Sequence, residues 1–165
     1  MTTKWWSVTL SLIVSLWGSP RAHAAGDIFE QASLQGLRAV QVVVENLATD
    51  ISHDGLDREQ IKAAVEQQLQ QAHITVETQA ENALYIHLGT VKNEAGLYSY
   101  SLSLQLLQLV LLFRDPGLVT WGTTWSLDQV GSVAPTKLNE IESQIARGVN
   151  AFIADYQTAN PTSPP

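Results

Sequence analysis

The sequence predicts an α+β fold: a four-stranded mixed or mainly antiparallel sheet with two helices packed on one face, in the order β-α-β-β-β-α. Three observations lead there. Over residues 98–106, Tyr98, Tyr100, Leu102, Leu104 and Leu106 alternate with Ser99, Ser101, Ser103 and Gln105, a strict period of two. Two other stretches, near 58–72 and 136–156, place apolar residues every three or four positions, the period of a helix. Turn-forming clusters separate the segments, among them Asn93-Glu94-Ala95-Gly96 and Arg114-Asp115-Pro116-Gly117.

The chain has 165 residues, enough for one domain with a substantial core. Residues 1–24 have the layout of a secretory signal peptide. Lys4 supplies a cationic start, and an uncharged, apolar-rich run covers residues 5–17. Gly18 and Pro20 break that run, and Ala22-His23-Ala24 is a small-x-small cleavage site. The run is shorter than the roughly 20 residues of a spanning helix. An uncleaved N-terminal anchor is the alternative. Residues 25–157 are expected to form the single α+β domain, and 158–165, ending in Pro-Thr-Ser-Pro-Pro, a disordered tail.

Cleavage after Ala24 leaves 141 residues. It removes Lys4 and Arg21 and no acid, so seven Lys and Arg face sixteen Asp and Glu, a formal charge of −9. An acidic domain is not suited to nucleic acid, which selects basic surfaces, nor to anionic lipid. There is no cysteine. That excludes disulfides, thiolate metal sites and thiol nucleophiles, and with them the acylated N-terminus of a bacterial lipoprotein. The expected home is the periplasm or the exterior, with no lipid anchor and no transmembrane helix after cleavage.

The elements follow in order. Residues 25–35, with Ile28, Phe29 and Leu34, read as a lead-in, partly helical. Residues 37–47 are rich in β-branched side chains and form the first strand, with Val40, Val42 and Val44 on one face. Residues 48–57 read as a loop. Asp57 then caps a helix, with Gln60 at capping-box spacing, Leu56 and Ile61 as a hydrophobic staple, and Ile61, Val65, Leu69 and Ala72 as the buried stripe. Strand character resumes at Ile74 and Val76 and firms up over residues 83–92, with Leu84, Ile86 and Leu88 on one face and Tyr85, His87 and Val91 on the other.

The long strand from Tyr98 changes pattern after Leu106, where Leu107, Leu109, Leu111 and Phe113 make the second face apolar as well. A bulge near Leu106–Leu107 or burial on both faces would account for it; a helix through Leu102, Leu106, Leu109 and Phe113 is the rival. The last strand covers residues 118–130. Its alternation puts Val119, Trp121, Trp125 and Leu127 on one face, at a spacing that reads as core. The final helix carries Leu138, Ile141, Ile145, Val149, Phe152 and Tyr156 on one stripe, and Gly148 within it signals close packing.

No nucleotide loop, G-x-S-x-G, H-E-x-x-H or calcium-loop motif occurs, so no catalytic, cofactor or metal residue is assigned. His53, Asp54, Asp57 and Glu59 cluster in sequence, but only His73 and His87 are left elsewhere to complete a metal site, and a capped helix start explains the cluster. Tyr85 and His87, with Glu45 on the same nominal sheet face, are candidate ligand or proton-transfer residues, the basis of an alternative reading as a small ligand-binding protein or hydrolase. The candidate interaction surface is Leu107, Leu109, Leu111 and Phe113. Four large apolar side chains on one sheet face call for a cover: the lead-in, an envelope protein or a second copy.

The stretches "LDREQIKAAVEQQLQQAHI", "GLYSYSLSLQLLQLVLLFRDP" and "TTWSLDQVGSV…FIADY", with the export signal and the element order, resemble a group of uncharacterised bacterial periplasmic proteins. The architecture also looks like the small envelope-assembly domains typified by LptE and the N-terminal domain of TolB. The resemblance implies no catalytic residue to carry over, and this chain departs from the lipoproteins of that kind in having no cysteine to acylate. The apolar strand face and the lack of a polar catalytic cluster lead to the expectation of an exported, non-enzymatic binding module, an accessory to an envelope complex.

Overall fold

A computed structural model of the chain describes residues 28–161. The expected signal peptide, residues 1–24, and the end of the expected tail, residues 162–165, lie outside the described residues. The elements run α1 (Ile28–Ala32), β1 (Ala39–Val44), α2 (Thr49–His53), α3 (Arg58–Gln71), β2 (Thr75–Val76), β3 (Ala83–Lys92), β4 (Tyr98–Leu112), β5 (Asp115–Val133), a 3-10 turn (Pro135–Lys137) and α4 (Asn139–Ala159). The fold is α+β around one mixed sheet of strand order β2-β1-β3-β4-β5. β1 runs parallel to β2 and β3, while β3, β4 and β5 are antiparallel neighbours.

The sheet has five strands rather than four. The extra one is Thr75–Val76, which adds beside Ala39 and Val40 and is too short to leave a periodic trace. The described residues hold four α-helices rather than two. The added pair, α1 and α2, are single turns of five residues. The α2 turn falls where a loop was expected, and its Ile51 is fully buried.

The long helices form as their sequences direct. The Asp57 carboxylate accepts from the N–H groups of Glu59 (2.7 Å) and Gln60 (3.1 Å), capping α3. Leu56 and Ile61 are both buried, as the staple requires. At its other end His73 takes a left-handed conformation (φ 61°). His73 N–H donates to Gln70 O (3.0 Å) and Ile74 N–H to Leu69 O (3.0 Å), a Schellman cap with histidine in the usual glycine position.

α4 crosses β4 and β5 with Ile141, Ile145, Val149, Phe152 and Ile153 buried. A Cβ at Gly148 would lie 2.9 Å from Leu104 Cδ2, so the glycine lets helix and sheet approach. The helix runs to Ala159, so the expected tail begins as helix. Asn160 fastens the lead-in: its Nδ2 donates to Leu34 O (2.9 Å), and Gly36 N–H donates to its Oδ1 (2.7 Å).

The core lies between the helices and the even-numbered face of β4, where Tyr98, Leu102, Leu104 and Leu106 are buried. Trp125 stands edge-on to Phe152 at 5.1 Å and donates through Nε1 to Asp155 Oδ2 (2.9 Å). Gln31 donates to the other Asp155 oxygen (3.1 Å), so one carboxylate joins α1, β5 and α4.

Candidate interaction surface

The antiparallel pair β4–β5 outgrows the sheet. β3 begins at Ala83, whose partner is Leu107, so β4 beyond Leu107 has only β5 beside it. Residues 108–123 therefore project as a two-stranded arm. Its turn lies at Phe113–Arg114, one step earlier than the expected turn, and β5 starts at Asp115. Pro116 is tolerated so early in an edge strand because no ladder N–H is required of it.

A bulge decides which side chains the arm displays. Leu106 pairs with Trp125 and Leu107 with Thr123, leaving Thr124 as the extra residue of β5. The irregularity falls at the expected Leu106–Leu107 step, but the inserted residue belongs to the partner strand. β4 keeps its own alternation, and the helical rival for 102–113 is not what forms. β5 changes parity instead. Trp121 and Trp125, expected on one face, lie on opposite faces: Trp125 is buried and Trp121 is 54% exposed.

Side-chain hydrogen bonds hold the base of the arm. Thr124 Oγ1 donates to Gln108 Oε1 (2.6 Å), Gln108 Nε2 to Asn82 Oδ1 (3.2 Å), and Asn82 Nδ2 to Ala39 O (3.2 Å). The Ser33 hydroxyl donates to Thr124 O (2.9 Å), fixing the lead-in beside the bulge.

The outer face of the arm is apolar and open. Leu109 (52% exposed) pairs with Trp121, and Leu111 (66%) with Val119 (53%). Phe113 is fully exposed at the tip. Burial on both faces is thus overturned. α1 packs against β5 and α4 nearer the base and leaves Leu109, Leu111 and Phe113 open. Leu107, the first residue of the predicted surface, is half-buried. On the other arm face the Val110 side chain leans over Gly122, where a Cβ would come within 2.8 Å of Val110 Cγ2, while Leu118 on that face is exposed. Val119 and Trp121 are members that sequence reading missed, since the parity change in β5 has no side-chain pattern of its own.

The second candidate also converges. Glu45 bonds to His87 Nδ1 and to the Tyr85 hydroxyl on the outer sheet face. The Tyr85 bond, then the His87 bond, hold the Glu45 carboxyl below its usual range, and the bond to Glu45 raises Tyr85. His87 and Glu45 remain half-exposed. An open depression of about 690 Å³ lies alongside, lined by Gly89, Ser99, Ser101, Val130 and Ser132. His87 Nε2 sits 3.4 Å from where a Gly89 Cβ would be, at the rim of that depression.

The histidine–acid cluster of residues 53–59 separates. Asp57 caps α3, Glu59 pairs with Arg58 (2.5 Å), and Asp54 accepts from Lys92 Nζ (2.6 Å) and the Tyr98 hydroxyl (2.8 Å). Among the described residues, no group of three or more His, Asp or Glu is placed to hold a metal ion. No helix among them is long and apolar enough to cross a membrane.

No protein-family model and no curated protein matches the chain. Among solved structures, a PelC dodecamer from Paraburkholderia phytofirmans is 11% identical with a TM-score of 0.36, covering 73% of this chain and 86% of that one. A minor lipoprotein from Acinetobacter baumannii is 8% identical with a TM-score of 0.24, covering 74% and 92%. Both likenesses are too distant to carry anything about function to this chain.

Proposed function

We propose that the chain is an exported, non-enzymatic binding module, an accessory of envelope assembly, that acts through the β4–β5 arm. The observation that carries this reading is the open apolar face of Leu109, Leu111, Val119 and Trp121 with Phe113 at the tip. The largest contiguous apolar patch of a protein is often a functional surface. The Thr124–Gln108–Asn82 bonds anchor the base of the arm to the body and fix where its outer face is presented. Export rests on residues 1–24 and the resemblance to periplasmic proteins.

The test places a photo-crosslinking residue at Leu111 and, as control, at the exposed Ala63 of α3, in cells making the full chain. The reading expects release of the chain by osmotic shock and a protein adduct from position 111 alone. Retention in the cytoplasm, or no adduct at 111, would overturn it.

A second reading takes the depression beside His87 as a site for a small hydroxylated ligand. His87 Nε2 would meet it while Glu45 holds Nδ1, and Ser99, Ser101 and Ser132 would supply hydroxyls. Ligand-dependent NMR shifts confined to these residues, and lost in His87→Ala, are the expected result.

A further inference from the structure

We infer that the occupant of the arm's outer face is the same face of a second copy, paired about a two-fold axis. This rests on the reading of the arm as the working surface and names its partner. Area is the first argument. Leu109, Leu111, Phe113, Val119 and Trp121 together offer roughly 500 Å² of apolar surface. A standard interface takes about 800 Å² from each partner, and about two-thirds of a homodimer interface is apolar. The patch is the apolar share of one such interface. Its composition agrees. Interfaces between different, separable proteins are about as polar as ordinary surface, whereas joined copies bury charge-free centres. Between Glu94 and Lys137 the only charged residues are Arg114, Asp115 and Asp128, and none belongs to the patch.

Charge placement is the second argument. A two-fold axis through the Leu109–Trp121 pair lays the arms antiparallel. The tip of each arm then reaches the other's sheet five residues toward the base, near Leu104 and its partner Leu127. Arg114, the only Lys or Arg between Lys92 and Lys137, would meet the outer face at Ser103 and its partner Asp128. Ser103, Gln105 and Ser126, the last with its hydroxyl donating to Glu30 Oε1 of α1 (3.0 Å), would form the polar rim around the apolar centre. A self-complementary patch closes as a dimer. A bilayer is a poorer occupant. Six residues of arm reach only about 20 Å, less than the roughly 30 Å hydrocarbon core, and open strand edges are not tolerated there.

The chain lacks cysteine, so a single introduced thiol reports cleanly. The chain, expressed from all 165 residues and purified as the cell delivers it, is measured by light scattering. The inference expects a mass twice that of one chain, falling to one chain in Leu111→Arg with circular dichroism unchanged. It also expects Leu109→Cys, but not Ala63→Cys, to give a covalent dimer with a short bismaleimide. Should Leu111→Arg fail to fold, the Leu109→Cys crosslink decides alone. A monomer at 100-fold above the assay concentration, or a dimer that Leu109→Cys does not capture, overturns the inference. The adduct from position 111 separates the two ideas. An adduct with a different protein sinks the dimer and leaves the docking arm standing, whereas no adduct at all sinks both.

Discussion

Gly148 shows how one missing side chain sets the distance between two layers. A Cβ there would press on the fully buried Leu104. Gly148→Val adds a branched side chain to that contact. It is expected to cost about 1–3 kcal/mol by overpacking, read as a lower urea midpoint. With Leu104→Ala beside it, the pair should cost less than the two single changes together, because the second makes room for the first. An unchanged midpoint for Gly148→Val would mean that helix and sheet are not in contact there. His73 presents the reverse case. Its left-handed conformation costs a non-glycine residue about 1 kcal/mol, and the cap bonds are made by backbone alone. His73→Gly should therefore raise stability by up to about 1 kcal/mol, and a loss would mean the imidazole holds something itself.

At the scale of elements, the two tryptophans that follow residue 24 report the bulge directly. Regular alternation would give Trp121 and Trp125 one environment, whereas the extra Thr124 gives them two. In a chain that starts at Ala25, iodide should quench one emitter and spare the other, and Trp121→Phe should leave only the spared one. Equal quenching of both would exclude the bulge. This is also where sequence reading stopped. The alternation of β1, β3 and β4 was legible because each strand buries one face, and the α3 and α4 stripes were legible for the same reason. The pairing of Thr75–Val76 was not, since two residues carry no period. Trp121 was misplaced because a bulge is set by cross-strand register, which no single strand records. The convergence of Glu45, Tyr85 and His87 was readable from parity alone, while the Asp54–Lys92–Tyr98 contact depends on how α2 folds over the strand ends.

That contact sets an acid limit. Lys92 first, then Tyr98, holds the Asp54 carboxyl below its usual range. A carboxylate lowered by folding adds stability that is fully present above its unfolded value, near pH 4. The contribution is lost as pH falls through the lower folded value. Asp54→Asn should thus be less stable than the native chain at neutral pH, with the gap narrowing below about pH 4. Thermal melts from pH 2 to 7 would show it, and a gap independent of pH would mean that the carboxylate charge contributes nothing.

Across the whole molecule, stability should divide at the base of the arm. The body has helices packed on the sheet, whereas residues 108–123 have two strands whose outer apolar face is open and whose other face leaves Leu118 exposed. An isolated hairpin is marginal in water, and regions with few buried contacts open locally below the global free energy. Hydrogen exchange should find the paired amides of residues 109–112 and 119–122 opening well before those of 102–106, at a rate insensitive to low urea. If the arms of two copies cover one another, that protection must rise with protein concentration, while protection of 102–106 stays constant. Fast, concentration-independent exchange in the arm would leave it braced only at its base. Exchange of the arm together with the core, at every concentration, would mean that arm and body open as one unit and that the outer face needs no second copy to stay ordered.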